Sequence, residues 1–249
     1  MGCNDARETG RLAGHVAVVT GASSGIGRAI AIALSREGAH LCAVGRNGVA
    51  LAETVAAARQ FAEARAFQID LTVGESLQPL VQFLDELGHV EILIHAAGVI
   101  QQGAMEQADI ADFDLQYDAN VRAPYVLTQR LLPLLTAAHG QIVFINSSAG
   151  LTAKRPEVGQ YAATKHALRA IADSLREEVN PKGVRVLSAY LGRTATPMQE
   201  ALFQQEGRAY HPEALLQPED VASMVVRALM LPYTAEVTDI SIRPMRRPG

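Results

Sequence analysis

From His15 onward, short runs of apolar and β-branched residues alternate with stretches of helical periodicity, and this alternation narrows the fold more than any other feature. Strands are predicted at 16–19, 41–44, 66–69, 92–94, 142–145, 184–187 and 237–242. Helices are predicted at 26–37, 49–61, 75–87, 112–137, 161–179 and 219–230. Several of the strand runs are almost continuously apolar, as strands buried on both faces are. The order predicts an α/β fold: a doubly wound parallel sheet of seven strands, with right-handed crossovers and helices on both faces.

No repeat, low-complexity tract or linker divides the chain, so 13–249 reads as one domain behind a flexible polar leader at 1–12. With 49% hydrophobic and 19% charged residues there is ample material for one core, and the absence of Trp makes that core aliphatic. The segment at about 192–217 breaks the alternation. It is either a mobile substrate lid over the carboxyl ends of the strands or a surface helix.

A net charge of −4 gives no field that favours nucleic acid. The basic tail of Arg243, Arg246 and Arg247 reads as a solvated or subunit-interface end. Cys3 and Cys42 lie in dissimilar surroundings, one in a polar leader and one in an apolar run, which argues against a disulfide framework. The first ten residues lack a signal-peptide core, and Ala6 stands where a myristoylation motif wants Ser or Thr. No stretch approaches the roughly 20 apolar residues that span a bilayer, so the reading is cytoplasmic, with no membrane partner.

The first strand runs straight into Thr20-Gly-Ala-Ser-Ser-Gly-Ile-Gly27, and a helix follows at once. Gly21, Gly25 and Gly27, with Ser23, Ser24 and Ile26 between them, form a tight turn that lets a pyrophosphate approach the backbone. The helix N-terminus then offers free N–H groups to the anion. The spacing departs from G-x-G-x-x-G. About twenty residues on, the second strand ends in Gly45-Arg46 rather than in a carboxylate. An Arg there suits the 2′-phosphate of NADP, so NADP(H) is expected over NAD(H).

Tyr161 and Lys165 share a helical stripe with Leu168, Ala172, Leu175 and Val179, at steps of four, three, four, three and four. A lysine on a buried stripe needs a reason. A cation one turn from a phenol favours the phenolate, and the pair is expected to lower the phenol's pKa toward a neutral-pH proton donor and acceptor. Upstream, Ser147 and Ser148 leave the fifth strand, placed either to hydrogen-bond a substrate oxygen or merely to cap a turn. Asn120 is either a polar core residue or a link in a proton path. Lys154 and Arg155 lie in the following loop, either attracting an anionic compound or simply solvated.

Together these pieces resemble the short-chain dehydrogenase/reductase family, in its short single-domain branch, from about residue 12 to residue 245. The resemblance rests on the glycine turn, Asp70, Ala96-Ala-Gly98, Asn120, the Ser-Ser-Ala-Gly turn and Tyr161-x-x-x-Lys165, in that order. It implies a Rossmann-type sheet and a reductase or dehydrogenase that moves hydride between NADP(H) and a small alcohol or carbonyl. It also implies a tetrad of Asn120, Ser147, Tyr161 and Lys165, with Ser148 kept open as the serine. Asp70 would accept from the adenine amino group and Thr196 would meet the nicotinamide carboxamide. Leu71, Ala97, Gly98, Gly192 and Thr194 complete the implied cofactor set, with no metal, and the family's habit implies a homodimer or homotetramer.

Three residues depart from the family pattern: His95 for Asn, Leu191 for Pro before Gly192, and Ser24 for a basic residue in the turn. A buried, satisfied role is expected of His95. The reading that competes with an enzyme is a non-catalytic NADP-sensing protein on the same fold. A nucleotide-sugar epimerase would need a further carboxyl-terminal domain, for which the chain lacks room.

Overall fold

The computed structural model describes residues 10–245. Cys3, most of the leader, Arg246 and Arg247 lie outside the described residues. Seven strands, β1 (Val16–Thr20), β2 (His40–Gly45), β3 (Ala64–Gln68), β4 (Ile92–His95), β5 (Gln141–Ser147), β6 (Arg185–Leu191) and β7 (Asp239–Ile242), form one sheet. Its order is β3-β2-β1-β4-β5-β6-β7, and every pairing is parallel. The helices are α1 (Gly25–Arg36), α2 (Gly48–Ala58), α3 (Gln78–Leu87), α4 (Ile110–Tyr117), α5 (Ala123–Ala137), α6 (Gly159–Val179), α7 (Pro197–Gln205) and α8 (Pro218–Leu229).

The apolar runs are explained by burial on both faces. Along β1, Val16 and Val18 join one core while Ala17 and Val19 join the other. Along β5, Ile142 and Phe144 face the first of these cores, and Val143 and Ile145 the second. Leu12 is itself buried in a core, with its N–H on the Glu37 carbonyl, so the packed chain begins within the segment expected to be leader. The strand order reverses between β1 and β4, which opens a crevice at their carboxyl ends.

Most elements shift by a residue or more from the expected bounds, and four of the departures bear on the architecture. β3 starts at Ala64 because Ala64–Gln68 pair in parallel with Leu41–Gly45 of β2, and Arg65 lays its guanidinium over Phe67 and Phe83, 5.6 and 4.6 Å from the ring centroids. β6 continues to Leu191, since Ser188–Leu191 pair with β7 on one side and with β5 on the other. The third helix opens with a 3₁₀ turn at Gly74–Leu77. The expected helix 112–137 is two helices joined by a wide turn, Asp118–Arg122, in which the Ala123 N–H reaches back five residues to the Asp118 carbonyl. Asn120 sits in that turn, and such wide turns recur at functional sites.

Residues 192–217 form a packed excursion built on α7. Ala195 and Leu216 donate to the carbonyls of Leu216 and Arg193, closing its base. Leu202, Phe203, Leu215 and Leu216 are buried. Among the described residues no helix is long and apolar enough to cross a membrane.

Candidate active site

Two adjoining clefts open at the reversal point of the sheet. The first is a groove lined by Gly21, Ser23, Ser24, Gly25, Ile26 and Gly27, by Arg46, by Asp70 and Leu71, and by Ala97 and Gly98. Thr20 fixes its floor: its Oγ1 accepts from the N–H groups of Ala96 and Ala97, 3.1 Å each, and donates to the Ile94 carbonyl. Gly21 has φ +67°, and a Cβ there would come 2.8 Å from the Ala97 nitrogen. The turn therefore needs glycine on both conformational and steric grounds.

The N-terminus of α1 carries no side-chain cap and no acidic residue in its first turn, so its leading N–H groups face the groove unneutralised. Arg46 is exposed at the groove's far end, and its charge helps lower the Asp70 carboxyl. The larger cause of that lowering is Thr72, whose hydroxyl and N–H both donate to Asp70 Oδ1, at 2.7 and 3.0 Å. A glycine cradle, an open helix end, a basic residue at the second strand's tip and a carboxylate beyond it together fit an extended dinucleotide.

The second cleft, of about 280 Å³, holds the candidate catalytic side chains. α6 begins near its wall and presents Tyr161 and Lys165 on the inward stripe. Lys165 is buried, with Nζ donating to the Ile145 carbonyl at 3.2 Å and lying 5.7 Å from the centre of the Tyr161 ring. Burial lowers this lysine to about 8. Burial pushes the Tyr161 phenol up to about 12, with partial relief from the nearby Ser147 hydroxyl. The expected lowering of the phenol is therefore corrected: here desolvation raises it, and only the Ser147 hydroxyl acts against that rise.

Ser147 and Ser148 are distinguished by position. Ser147 is half-buried and adjoins the phenol, while its Oγ accepts from the Ala149 N–H at 3.1 Å. Ser148 is exposed, although it also lines the cleft. Asn120 is fully engaged. Its Oδ1 accepts from the Val99 N–H at 2.8 Å, and its Nδ2 donates to the Val99 carbonyl and to the Thr164 hydroxyl. Gly98 brings these parts together, since a Cβ on it would stand 3.1 Å from Asn120 Oδ1 and 3.8 Å from Lys165 Nζ.

The 192–217 excursion forms the opposite wall through Gly192, Thr194, Thr196, Met198, Gln199 and Leu202. Thr196 caps α7 by accepting from the Gln199 N–H, and Thr194 is buried with its hydroxyl on the Gly192 carbonyl. His95 lies below the site, stacked on Phe144 and hydrogen-bonded to Thr128. Burial lowers its pKa to about 3, so it is a neutral packing residue.

Sequence reasoning missed three residues. Asn146 donates to the Lys165 carbonyl and accepts from the Ser147 N–H, locking α6 to the end of β5. Thr72 holds Asp70, a turn that the Asp-x-Thr spacing signals. Arg193 lines the second cleft, and a basic residue two positions after the sixth strand was the available signal.

Comparison with known proteins places this geometry among relatives. A family model described as short chain dehydrogenase matches residues 15–207. An uncharacterized oxidoreductase of Staphylococcus epidermidis is 34% identical over 232 residues, covering 92% of this chain and 97% of the relative. The structure of L-sorbose reductase from Gluconobacter frateurii, complexed with NADPH and L-sorbose, superposes with a TM-score of 0.84 at 25% identity, covering 94% and 96% of the two chains. A short chain dehydrogenase from Mycobacterium paratuberculosis bound to NAD superposes at 0.81 with 26% identity, covering 94% and 97%.

Proposed function

The chain belongs to the short-chain dehydrogenase family, and from that premise we propose that this oxidoreductase reduces a small carbonyl compound with NADPH, using Tyr161 as the proton donor. The observation that carries the reading is the meeting of Tyr161, Lys165 and Ser147 on one wall, beside a groove that fits a dinucleotide. When bound, the nicotinamide supplies the hydride to the carbonyl carbon.

The protein's own residues handle the oxygen. Ser147 Oγ already accepts from Ala149, which leaves its proton to donate to the carbonyl oxygen or to the phenol. Tyr161 gives that oxygen its proton, so carbon gains the hydride pair and oxygen becomes a hydroxyl. A phenol held near 12 is protonated at neutral pH, the state that reduction requires. Lys165, at about 8, is mostly charged at pH 7 and stabilises the phenolate left behind until solvent restores its proton. Asn120 holds the Val99 backbone, and with it the loop between the two clefts.

Arg46 supports NADP(H) over NAD(H), as the planar donor for a 2′-phosphate. Gly21, Ser23, Gly25 and Ile26 would receive the pyrophosphate, Asp70 the adenine and Thr196 the carboxamide. Association into a homodimer or homotetramer through the Ala-rich outer face of α6 (Ala163, Ala167 and Ala170) belongs to the same reading. The test is NADPH oxidation, against NADH, over a panel of ketones, quinones, sugars and acyl-thioester ketones. Turnover of at least one compound with NADPH favoured supports the proposal. Tight NADPH binding with no turnover across the panel contradicts it.

A further inference from the structure

Among the described residues, the second cleft is charged on one side of the ledger alone. Its lining includes Lys154, Arg155, Lys165 and Arg193, and no Asp or Glu. Lys165 is committed to the Tyr161 wall, which leaves three cations on the wall formed by the 192–217 excursion and the loop after β5.

Their arrangement is set by one carboxylate behind them. Glu206, just past α7, receives Arg193 Nη2 at 2.6 and 2.9 Å, Arg155 Nη2 at 3.0 Å and Arg208 Nη1 at 2.9 Å. One negative charge against three guanidiniums leaves the cluster net positive by two. Phe203 lies under both Arg193 and Arg208, 4.6 and 4.8 Å from their guanidinium carbons, so the cluster is held in place before any ligand arrives. Among the described residues, Arg193 Nη1 is buried without a partner, and so is Oε1 of Gln199, another residue of the same wall. Arg155 differs from Arg193 in reach. Its side chain is 55% exposed, and among the described residues only its Nη2 is engaged.

We infer that the carbonyl substrate carries an anionic oxygen group, a carboxylate or a phosphate, and that Arg155 is the specificity-determining residue that receives it. Lys154 adds charge at the mouth, and Arg193 with Glu206 holds the Arg155 fork in place. A planar guanidinium with free N–H groups matches such an anion in geometry, and charge-assisted hydrogen bonds in a partly enclosed cleft are the strong ones. The inference rests on the carbonyl-reductase reading and adds the substrate class to it.

The experiment compares keto acids of three to six carbons with their methyl esters and with keto-alkyl phosphates of equal length, as substrates with saturating NADPH. The acid or the phosphate is expected to exceed the ester in kcat/KM by at least tenfold, and the better anion identifies the group. That ratio is expected to fall as ionic strength rises. In Arg155→Gln the anion-to-ester ratio is expected to approach one. Equal rates on anion and ester in the natural protein overturn the inference, while NADPH-dependent reduction of the ester leaves the reductase reading standing. Equal losses on anion and ester in Arg155→Gln, or a parallel rise in the Kd for NADPH, assign the cluster to packing or to the cofactor and likewise overturn it. Should no member of the series turn over, calorimetry of 4-oxopentanoate and its methyl ester on the protein with NADPH decides. Tenfold tighter binding of the acid, lost in Arg155→Gln, supports the inference, and equal binding overturns it.

Discussion

Lys165 donates from Nζ to the main-chain carbonyl of Ile145, 3.2 Å away, and so fastens the first turns of α6 to the strand that delivers Ser147. The bond fixes the ammonium but does not neutralise it. A charged lysine in a buried setting lowers stability, and its pKa of about 8 against 10.5 measures that cost.

The sign follows from proton counting. Between about pH 8 and 10.5 the unfolded chain holds this proton and the folded chain does not, so stability from this group rises with pH across that window. The cost is fully present below about 8. Lys165→Met removes the charge along with one hydrogen bond, and is expected to stabilise the fold at pH 7 by about 1–2 kcal/mol. The gain is expected to shrink toward pH 10 while activity is lost throughout. Thermal melts across that range check it; equal or lower stability at pH 7 contradicts it.

Asn120 donates to and accepts from the same residue, Val99. Asn120→Ala leaves the part-buried N–H and carbonyl of Val99 without their partner, at a cost of about 1–3 kcal/mol. The expected result is a lower urea midpoint with an unchanged m-value. Asn120→Asp keeps the acceptor alone and is expected to fall between the two. A midpoint in Asn120→Ala within error of the natural protein would show that Val99 finds other partners.

Glu206 is held low against burial. Desolvation acts to raise its carboxyl, and hydrogen bonds from Arg193, Arg155 and Arg208 outweigh it, bringing the pKa to about 2 from 4.5. Its stabilising contribution is therefore present above about 4.5 and is lost as the pH falls toward 2. Glu206→Gln is expected to be less stable than the natural protein at pH 6, with the difference narrowing over that acid window. A difference that stays constant with pH would mean that the carboxylate's charge is not what holds the cluster.

Arg46 stands at the end of the glycine-lined groove with its side chain exposed, so its replacement is expected to leave the fold intact. In Arg46→Ala the Kd for NADPH is expected to rise about tenfold or more, the scale of one charge-assisted bond, and the Kd for NADH to change little. Equal effects on the two cofactors would remove Arg46 from the selectivity argument.

The sheet was legible because burial on both faces leaves apolar runs that hydrophilic turns delimit, and the Tyr161–Lys165 stripe was legible because its steps continue into Leu168, Ala172, Leu175 and Val179. The wide turn at Asn120 was not. The chain stays helical through it, and no Gly or Pro within Asp118–Arg122 marks it in the sequence. Nor was the Glu206 cluster, since Arg155 is 51 residues away from it in sequence and meets it only through the fold. The direction of the phenol's pKa also escaped, because spacing shows that a cation is near and does not show how much water is excluded.

The central claim is that Tyr161 is the proton donor in hydride reduction of a carbonyl. Tyr161→Phe keeps the ring and removes only the hydroxyl, and single-turnover oxidation of bound NADPH by a competent ketone reads its loss directly. The rate is expected to fall by about 10²–10⁴, the range for general-acid catalysis, with the Kd for NADPH unchanged. A single-turnover rate within a few-fold of the natural protein would contradict it.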